Sequence, residues 1–184
     1  MKITIEKTKD WDLVYKTALY TQGKKPLQQY PSEKWKHKTV VAQHSPLRQL
    51  EFIITIENVP NYVHTHLVRH VHLQPYIQTM REDITGIAND EITRNTPNNG
   101  TYIINAQEFI NVSHDRLCTK ASADTRFVWE CVVKEMFKIE PLLASMAVRH
   151  CVFCGYCKEY KPCKFFENED ARFEYLYFVN RKLY

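Results

Sequence analysis

The apolar positions of this chain change period several times, and each change marks an element. Residues 2–6, KITIE, alternate apolar and polar as a short strand does. Asp10 is placed to cap a helix through about Thr21, with Trp11, Val14, Tyr15 and Ala18 on one side. A polar stretch with Pro26 and Pro31 follows. EFIITIENV, from Glu51, alternates again and puts Phe52, Ile54 and Ile56 on one strand face. Pro60 suits the first turn of a helix running to about His70, because a proline there gives up no intrahelical bond. Residues 84–100 read as loop, and their closing NNG turn leads into a strand, TYIIN. Two helices are predicted beyond it, about 106–117 and 123–147. The second aligns Val128, Val132, Met136, Ile139 and Leu143, and Pro141 kinks or divides it.

Residues 149–184 change character: RHCVFCGYCKEYKPCKFF is cysteine-rich, and an aromatic, charged segment follows. The pattern therefore divides into a main domain, 1–148, and a Cys-rich C-terminal extension, 149–184. A chain of 184 residues can bury a core without disulfide staples. Its formal charge of +4 is spread along the sequence, with no basic block suited to a nucleic-acid polymer or a membrane surface. The N-terminus, MKITIEKTKD, lacks the apolar core of a signal peptide, and no apolar run approaches spanning length. A cytoplasmic protein is the expectation, and there six cysteines point to metal ligands or buried thiols. With only four glycines, Gly23, Gly86, Gly100 and Gly155, neither GxGxxG nor a P-loop can be drawn. Any phosphate must be held by side chains and helix N-termini.

Candidate chemistry concentrates in YVHTHLVRHVHLQPYIQTMRED, residues 62–83. On a continuous helix His66 and His70 lie one turn apart and could face a metal, though no HExxH glutamate separates them. The other reading is a neutral or partly solvated histidine cluster. Arg69 and Arg81, with the Thr79 hydroxyl, suit a phosphate, since a charge-assisted hydrogen bond is worth roughly 1.5–3 kcal/mol net. Against this stands a pair of surface ion pairs with Glu51, Glu82 or Asp83. In the tail, Cys151, Cys154, Cys157 and Cys163 give C-x2-C-x2-C-x5-C, which suits tetrahedral zinc, iron–sulfur ligation or free thiols. Cys118 and Cys131 fall in helical segments and read as packing residues.

RHVHLQPYIQTMRE resembles the signature of flavin-dependent thymidylate synthases, Arg-His-Arg-x2-Ser-x-Asn-x2-Ser-x-Arg-Tyr. Arg69, His70 and Arg81 match, and Thr79 conservatively replaces the second serine. Val71, Gln74, Tyr76 and Glu82 depart from it. HSPLRQLEFIITIENVPNYVHTHLVRH is similar to the family's approach to that signature, NAQEFINVSHDR to its later flavin and nucleotide segment, and TRFVWECVVKEMFKIEPLL to its closing helix. The similarity covers about residues 40–143.

The resemblance implies an α+β fold, a mixed sheet with flanking helices, in a homotetramer with active sites at subunit interfaces. It implies reductive methylation of dUMP to dTMP, with methylenetetrahydrofolate as carbon donor, NADPH as reductant and FAD as intermediary. Carried over by residue, Thr79 and Arg81, with Gln78, would meet the nucleotide phosphate, and Arg116 the uracil edge. His66 would take the place of a glutamine that touches the nucleotide. Arg69 would sit between nucleotide, flavin and folate, and Arg69 and Arg116 carry the catalytic expectation. His44, His70, His72, Asn105, Gln107 and Asn111 would serve FAD. Val71 and Gln107 stand where the family has flavin-holding arginines. Two other readings stay open: a different C5 modification of a deoxypyrimidine nucleotide, or a non-catalytic nucleotide-binding module with a structural zinc.

Overall fold

A computed structural model describes residues 1–25 and 30–182; Pro26 lies outside the described residues. Strand β1 (Lys2–Lys9) runs into α1 (Trp11–Thr21), α2 (Glu33–Ala42) and a 3-10 turn (Ser45–Gln49). Strand β2 (Glu51–Pro60), helix α3 (Asn61–Leu67), strand β3 (Leu73–Ile77) and the short α4 (Glu82–Thr85) follow. After a loop come β4 (Pro97–Asn105), α5 (Ala106–Arg116), α6 (Ala123–Ile139) and α7 (Pro141–Ala144). The tail forms α8 (His150–Cys154) and α9 (Glu169–Lys182).

The α+β expectation holds, but the sheet is antiparallel rather than mixed. Its order is β1-β2-β4-β3, and all three pairings among the described strands are antiparallel. The reason is that β2 and β3 do run the same way, yet β4 inserts between them and removes the parallel contact. Phe52, Ile54 and Ile56 are fully buried on one face of β2, as their alternation predicts. Each such side chain contributes about 1.5–3 kcal/mol by leaving water. The facing residues of β4, Tyr102 and Ile104, complete that layer at 1% exposure each. On the opposite face Ile53, Thr55, Thr101 and Ile103 are only half-buried.

Helices close the core over the buried face. Trp11, Val14 and Ala18 of α1 are buried, as are Val128, Val132 and Met136 of α6. Asp10 stands at the cap of α1, but its side chain makes no cap bond; it accepts instead from Lys7 Nζ at 2.9 Å and Tyr30 Oη at 3.1 Å. Buried Glu140 joins the ends of the fold, accepting from Lys7 Nζ at 2.7 Å and from Trp11 Nε1 at 3.1 Å. Between α5 and α6, Trp129 Nε1 donates to Ser113 Oγ at 2.9 Å. Pro141 divides the long C-terminal helix into α6 and α7, since it cannot donate the backbone bond that continuation needs. The predicted NNG turn is part of β4: Asn98 and Gly100 already pair with β2.

The tail packs on the same core, with Val152 and Phe178 buried in it. Among the described residues no helix is long and apolar enough to cross a membrane.

Candidate functional site

Helix α3 ends at Leu67, three residues short of the predicted His70, and this early end decides what the histidines do. His66 stays on the helix, where its Nδ1 lies 2.8 Å from the hydroxyl of buried Thr125 on α6. His70 falls in the turn that follows, and its Nε2 accepts from Arg116 Nε at 2.8 Å. A guanidinium can only donate, so His70 must carry its proton on Nδ1. Arg116 Nη2 also donates to the His66 carbonyl at 2.7 Å. The last residue of α5 is thus fixed on the turn after α3. Of the two readings of these histidines, the neutral cluster is the one the geometry favours: both imidazoles are hydrogen-bonded, and leaving the helix takes His70 off the one-turn spacing.

Among the described residues Arg116 makes no ion pair with a carboxylate. Asp115, the acidic neighbour that acts on it, is tied to Lys158 at 2.8 Å. Burial, and then the charge of Arg69, push the Arg116 guanidinium down. Burial likewise lowers His66, with Arg116, Arg69 and Arg94 adding to the effect. Burial is the main reason that His70 falls to about 4, with Arg116 reinforcing it. Three arginines and two histidines held neutral by burial and charge therefore form a cationic cluster around the α3 turn. Arg94 and Thr125 carry no periodicity or spacing signal in the sequence; only the fold reveals that they belong here.

One turn back on α3, buried His64 is a structural residue. Its Nε2 lies 3.2 Å from the Asn98 carbonyl and must donate to it, so Nδ1 accepts from Tyr102 Oη at 2.6 Å. Burial pushes the Tyr102 phenol up, which keeps that proton in place.

A second group gathers at the start of α5. Gln107 Nε2 donates to Gln43 Oε1 at 2.7 Å, and Asn111 Nδ2 to Glu108 Oε2 at 3.2 Å. Asn105 caps the helix, accepting from the Glu108 backbone at 3.0 Å. Gln43 Nε2 is buried without a hydrogen-bond partner among the described residues. His44 is exposed beside it, on the rim of the largest cavity described, about 640 Å3 between α1 and α2. That cavity contains none of the arginines, so its size does not mark the chemistry. His72 is exposed in the turn before β3.

Gln78, Thr79 and Arg81 form the third group, past the far end of β3. Arg81 forks onto Asp83, with bonds of 3.0 and 2.6 Å at the exposed surface. Thr79 Oγ1 accepts from the Arg81 backbone at 3.3 Å, and Gln78 is held by Asn98 and Asn99. The five-residue β3 spans roughly 16 Å. Arg69 and Arg81 lie beyond its opposite ends.

The expected tail metal set is not assembled. Cys154 Sγ donates to the His150 carbonyl at 3.0 Å and the Tyr156 carbonyl at 3.2 Å, away from the other three thiols. Among the described residues no group of three or more His, Cys, Asp or Glu is placed to hold a metal ion.

Among solved structures, the chain is similar to the flavin-dependent thymidylate synthase ThyX of Helicobacter pylori in complex with FAD and dUMP. The TM-score is 0.66 at 12% identity, over 81% of this chain and all of that one. The chain has the fold of the flavin-dependent thymidylate synthases. A UMP/dUMP methylase, PolB of Streptomyces cacaoi, bound with 5-Br dUMP, aligns with a TM-score of 0.60 at 14% identity, over 79% of this chain and 94% of that one. No family model matches the sequence, and no curated protein matches it. On this thymidylate synthase fold, the α3 turn, the start of α5 and the far end of β3 are therefore the regions that bear the candidate residues.

The histidines give the fold a pH dependence. Burial lowers His64, His66, His70, His114 and His150 below the ordinary value of 6.5. The unfolded chain then binds more protons between 6.5 and the folded values, about 4 for His70. Stability should be complete above pH 6.5 and fall as the pH drops toward 4. Urea midpoints across that range check this; a flat profile would show that these rings titrate alike folded and unfolded.

Proposed function

We propose that this protein methylates dUMP at C5 to give dTMP, with methylenetetrahydrofolate as carbon donor, NADPH as reductant and FAD as bound cofactor. The observation that carries the reading is Arg116. It is a half-buried guanidinium with no paired carboxylate among the described residues, locked by His70 and the His66 carbonyl on a fold shared with dUMP-binding proteins. A uracil gaining electron density on its ring is stabilised by such a preorganised cation at its carbonyl edge. Arg69, exposed and beside Arg116, adds charge where an anionic ligand would enter.

The residues present fit a flavin in one respect and strain the fit in another. The orphaned Gln43 Nε2, with the amides of Gln107 and Asn111 and the exposed His44, supplies donors and acceptors for a heteroaromatic ring. Val71, 87% exposed, gives no cation to a pyrophosphate, which leaves that charge to Arg69. FAD would supply the hydride transfer; the chain would bind, orient and exclude water.

The spacing of the three groups supports a shared site. Arg81 and Arg116 stand toward opposite ends of β3, a separation that supports a site in which Arg81 of one copy meets the ligand held by Arg116 of another, as the homotetramer reading requires. Asp83 would be exchanged for the phosphate, a modest loss because exposed pairs are worth about 0–1 kcal/mol.

The test is the visible spectrum of the purified chain with added FAD, followed by NADPH oxidation with and without dUMP. Flavin bands and dUMP-stimulated oxidation are expected, with dTMP formed once methylenetetrahydrofolate is added. A chain that takes up no FAD yet binds dUMP would sink the flavin chemistry and leave a nucleotide-binding module. The UMP/dUMP methylase neighbour makes UMP the comparison substrate, and its turnover in place of dUMP would redirect the assignment to another C5 methylation.

A further inference from the structure

Beside the tail, a cavity of about 20 Å3 lies between the end of α5 and helix α8. Four of the six cysteines line it: Cys118, Cys151, Cys157 and Cys163. They come from different segments. Cys118 is two residues past the end of α5, Cys151 is in α8, and Cys157 and Cys163 are in the connection to α9. All four are half-buried, and none is in a disulfide. A space of this size takes one water-sized guest, which suits a single ion.

Two cations, Arg149 and Lys158, line the cavity against one carboxylate, Glu159. Four thiolates around a divalent cation carry a net charge of minus two, which a low-dielectric site must offset. Arg149 lines the same cavity, and its Nη1 is buried with no hydrogen-bond partner among the described residues. The nearest carboxylate it pairs with, Glu174, is 4.0 Å away, beyond hydrogen-bond reach, while the guanidinium stacks over Phe165. An orphaned cationic donor in a wall of thiols is explained if those thiols become thiolates. Lys158 also lines the cavity but is committed to Asp115.

We propose that Cys118, Cys151, Cys157 and Cys163 form a tetrathiolate site for one thiophilic divalent cation of the zinc type, which ties the C-terminal segment to the end of α5. The donors are not preset: among the described residues no three are placed as ligands, so binding rotates the thiols inward. Cys154, turned to two carbonyls, and Cys131 both lie outside the cavity lining. Because Cys118 follows Arg116 by two residues, the clip also steadies the end of the helix that presents that arginine.

The experiment uses the full chain carrying both Cys131→Ser and Cys154→Ser, which leaves only the four proposed ligands. Produced with added zinc and purified without chelator, it is expected to hold about one zinc per chain, with four sulfurs in the X-ray absorption spectrum. Exchange with cadmium should then give sulfur-to-metal charge-transfer absorption of the same strength as in the unaltered chain. Cys118→Ser should lower zinc affinity at least ~10-fold, since even changes to groups behind the ligands cost about 10–100-fold. Loss of zinc in the double variant, unchanged zinc affinity in Cys118→Ser, no uptake by the unaltered chain, or iron with inorganic sulfide in its place would each overturn the assignment. None of these readouts depends on dUMP turnover, so the site stands or falls apart from the proposed function.

Discussion

Arg116→Ala is expected to lower dUMP-dependent turnover by about 10²–10³-fold while leaving a folded protein, the cost typical of removing one preorganised donor from a charge-stabilising site. The fold should survive because Arg116 is a surface-reaching residue at the end of α5, and its loss orphans only the His66 carbonyl and His70 Nε2. Leaving such acceptors unpaired costs roughly 1–3 kcal/mol, read as a shifted urea midpoint. Arg116→Lys should rescue little. One ammonium cannot reproduce the two bonds made by Nε and Nη2 while still offering a planar edge to a ligand. Turnover that persists in Arg116→Ala would remove this residue from the chemistry. Arg81→Ala should also lose activity, with stability almost unchanged, since only the exposed Asp83 pair is broken. Mixing the two inactive variants under conditions that exchange subunits should restore part of the activity, because some sites then receive Arg116 from one chain and Arg81 from another. No recovery on mixing would place both arginines in one chain's site, against the separation that β3 imposes.

The elements were legible wherever one face is buried. Phe52, Ile54 and Ile56 read as a strand face because every second position meets the core, and the α6 stripe reads as a helix for the matching reason. The end of α3 was not legible. Nothing local stops a helix at Leu67; the stop follows from Leu73 having to enter the sheet opposite Ile104 and from His70 meeting Arg116, 46 residues on. Asn105 shows a local signal outweighed by resemblance. An asparagine three residues before Glu108 is the spacing of a capping box, and the side chain does cap α5. Cys118 was hidden in another way. The run from Cys151 to Cys163 carries its spacing within the sequence, whereas Cys118, 33 residues before Cys151, reaches the same cavity only because α5 packs against α8. Arg69 and His70 stand out by likeness to a signature and Arg116 by likeness to a later segment; their mutual arrangement, with Arg94 and Thr125, requires the fold.

Gly100→Val is expected to be among the most destabilising single changes in the chain, and Gly100→Ala already costly at about 1–3 kcal/mol, the range for overpacking a close-packed site. In most strands replacing glycine with alanine helps, because the unfolded chain loses freedom. Here a Cβ would stand 2.7 Å from Ile77 Cδ1, 2.8 Å from His64 Nδ1 and 2.9 Å from His64 Cε1. The isoleucine methyl is the end of a flexible side chain and can turn aside. The imidazole cannot, because Tyr102 and the Asn98 carbonyl hold its two nitrogens. Relief has to come from moving α3 away from β4, and α3 leads into Arg69 and His70. The damage should therefore reach the site: even the alanine variant should bind dUMP more weakly than its loss of stability alone explains. A double-mutant cycle separates the causes. If the clash with His64 dominates, Gly100→Ala should cost less in a His64→Ala background, with a coupling in the range of about 0.5–3 kcal/mol seen for residues in contact. Equal costs in both backgrounds would shift the blame to Ile77 and the β3 edge.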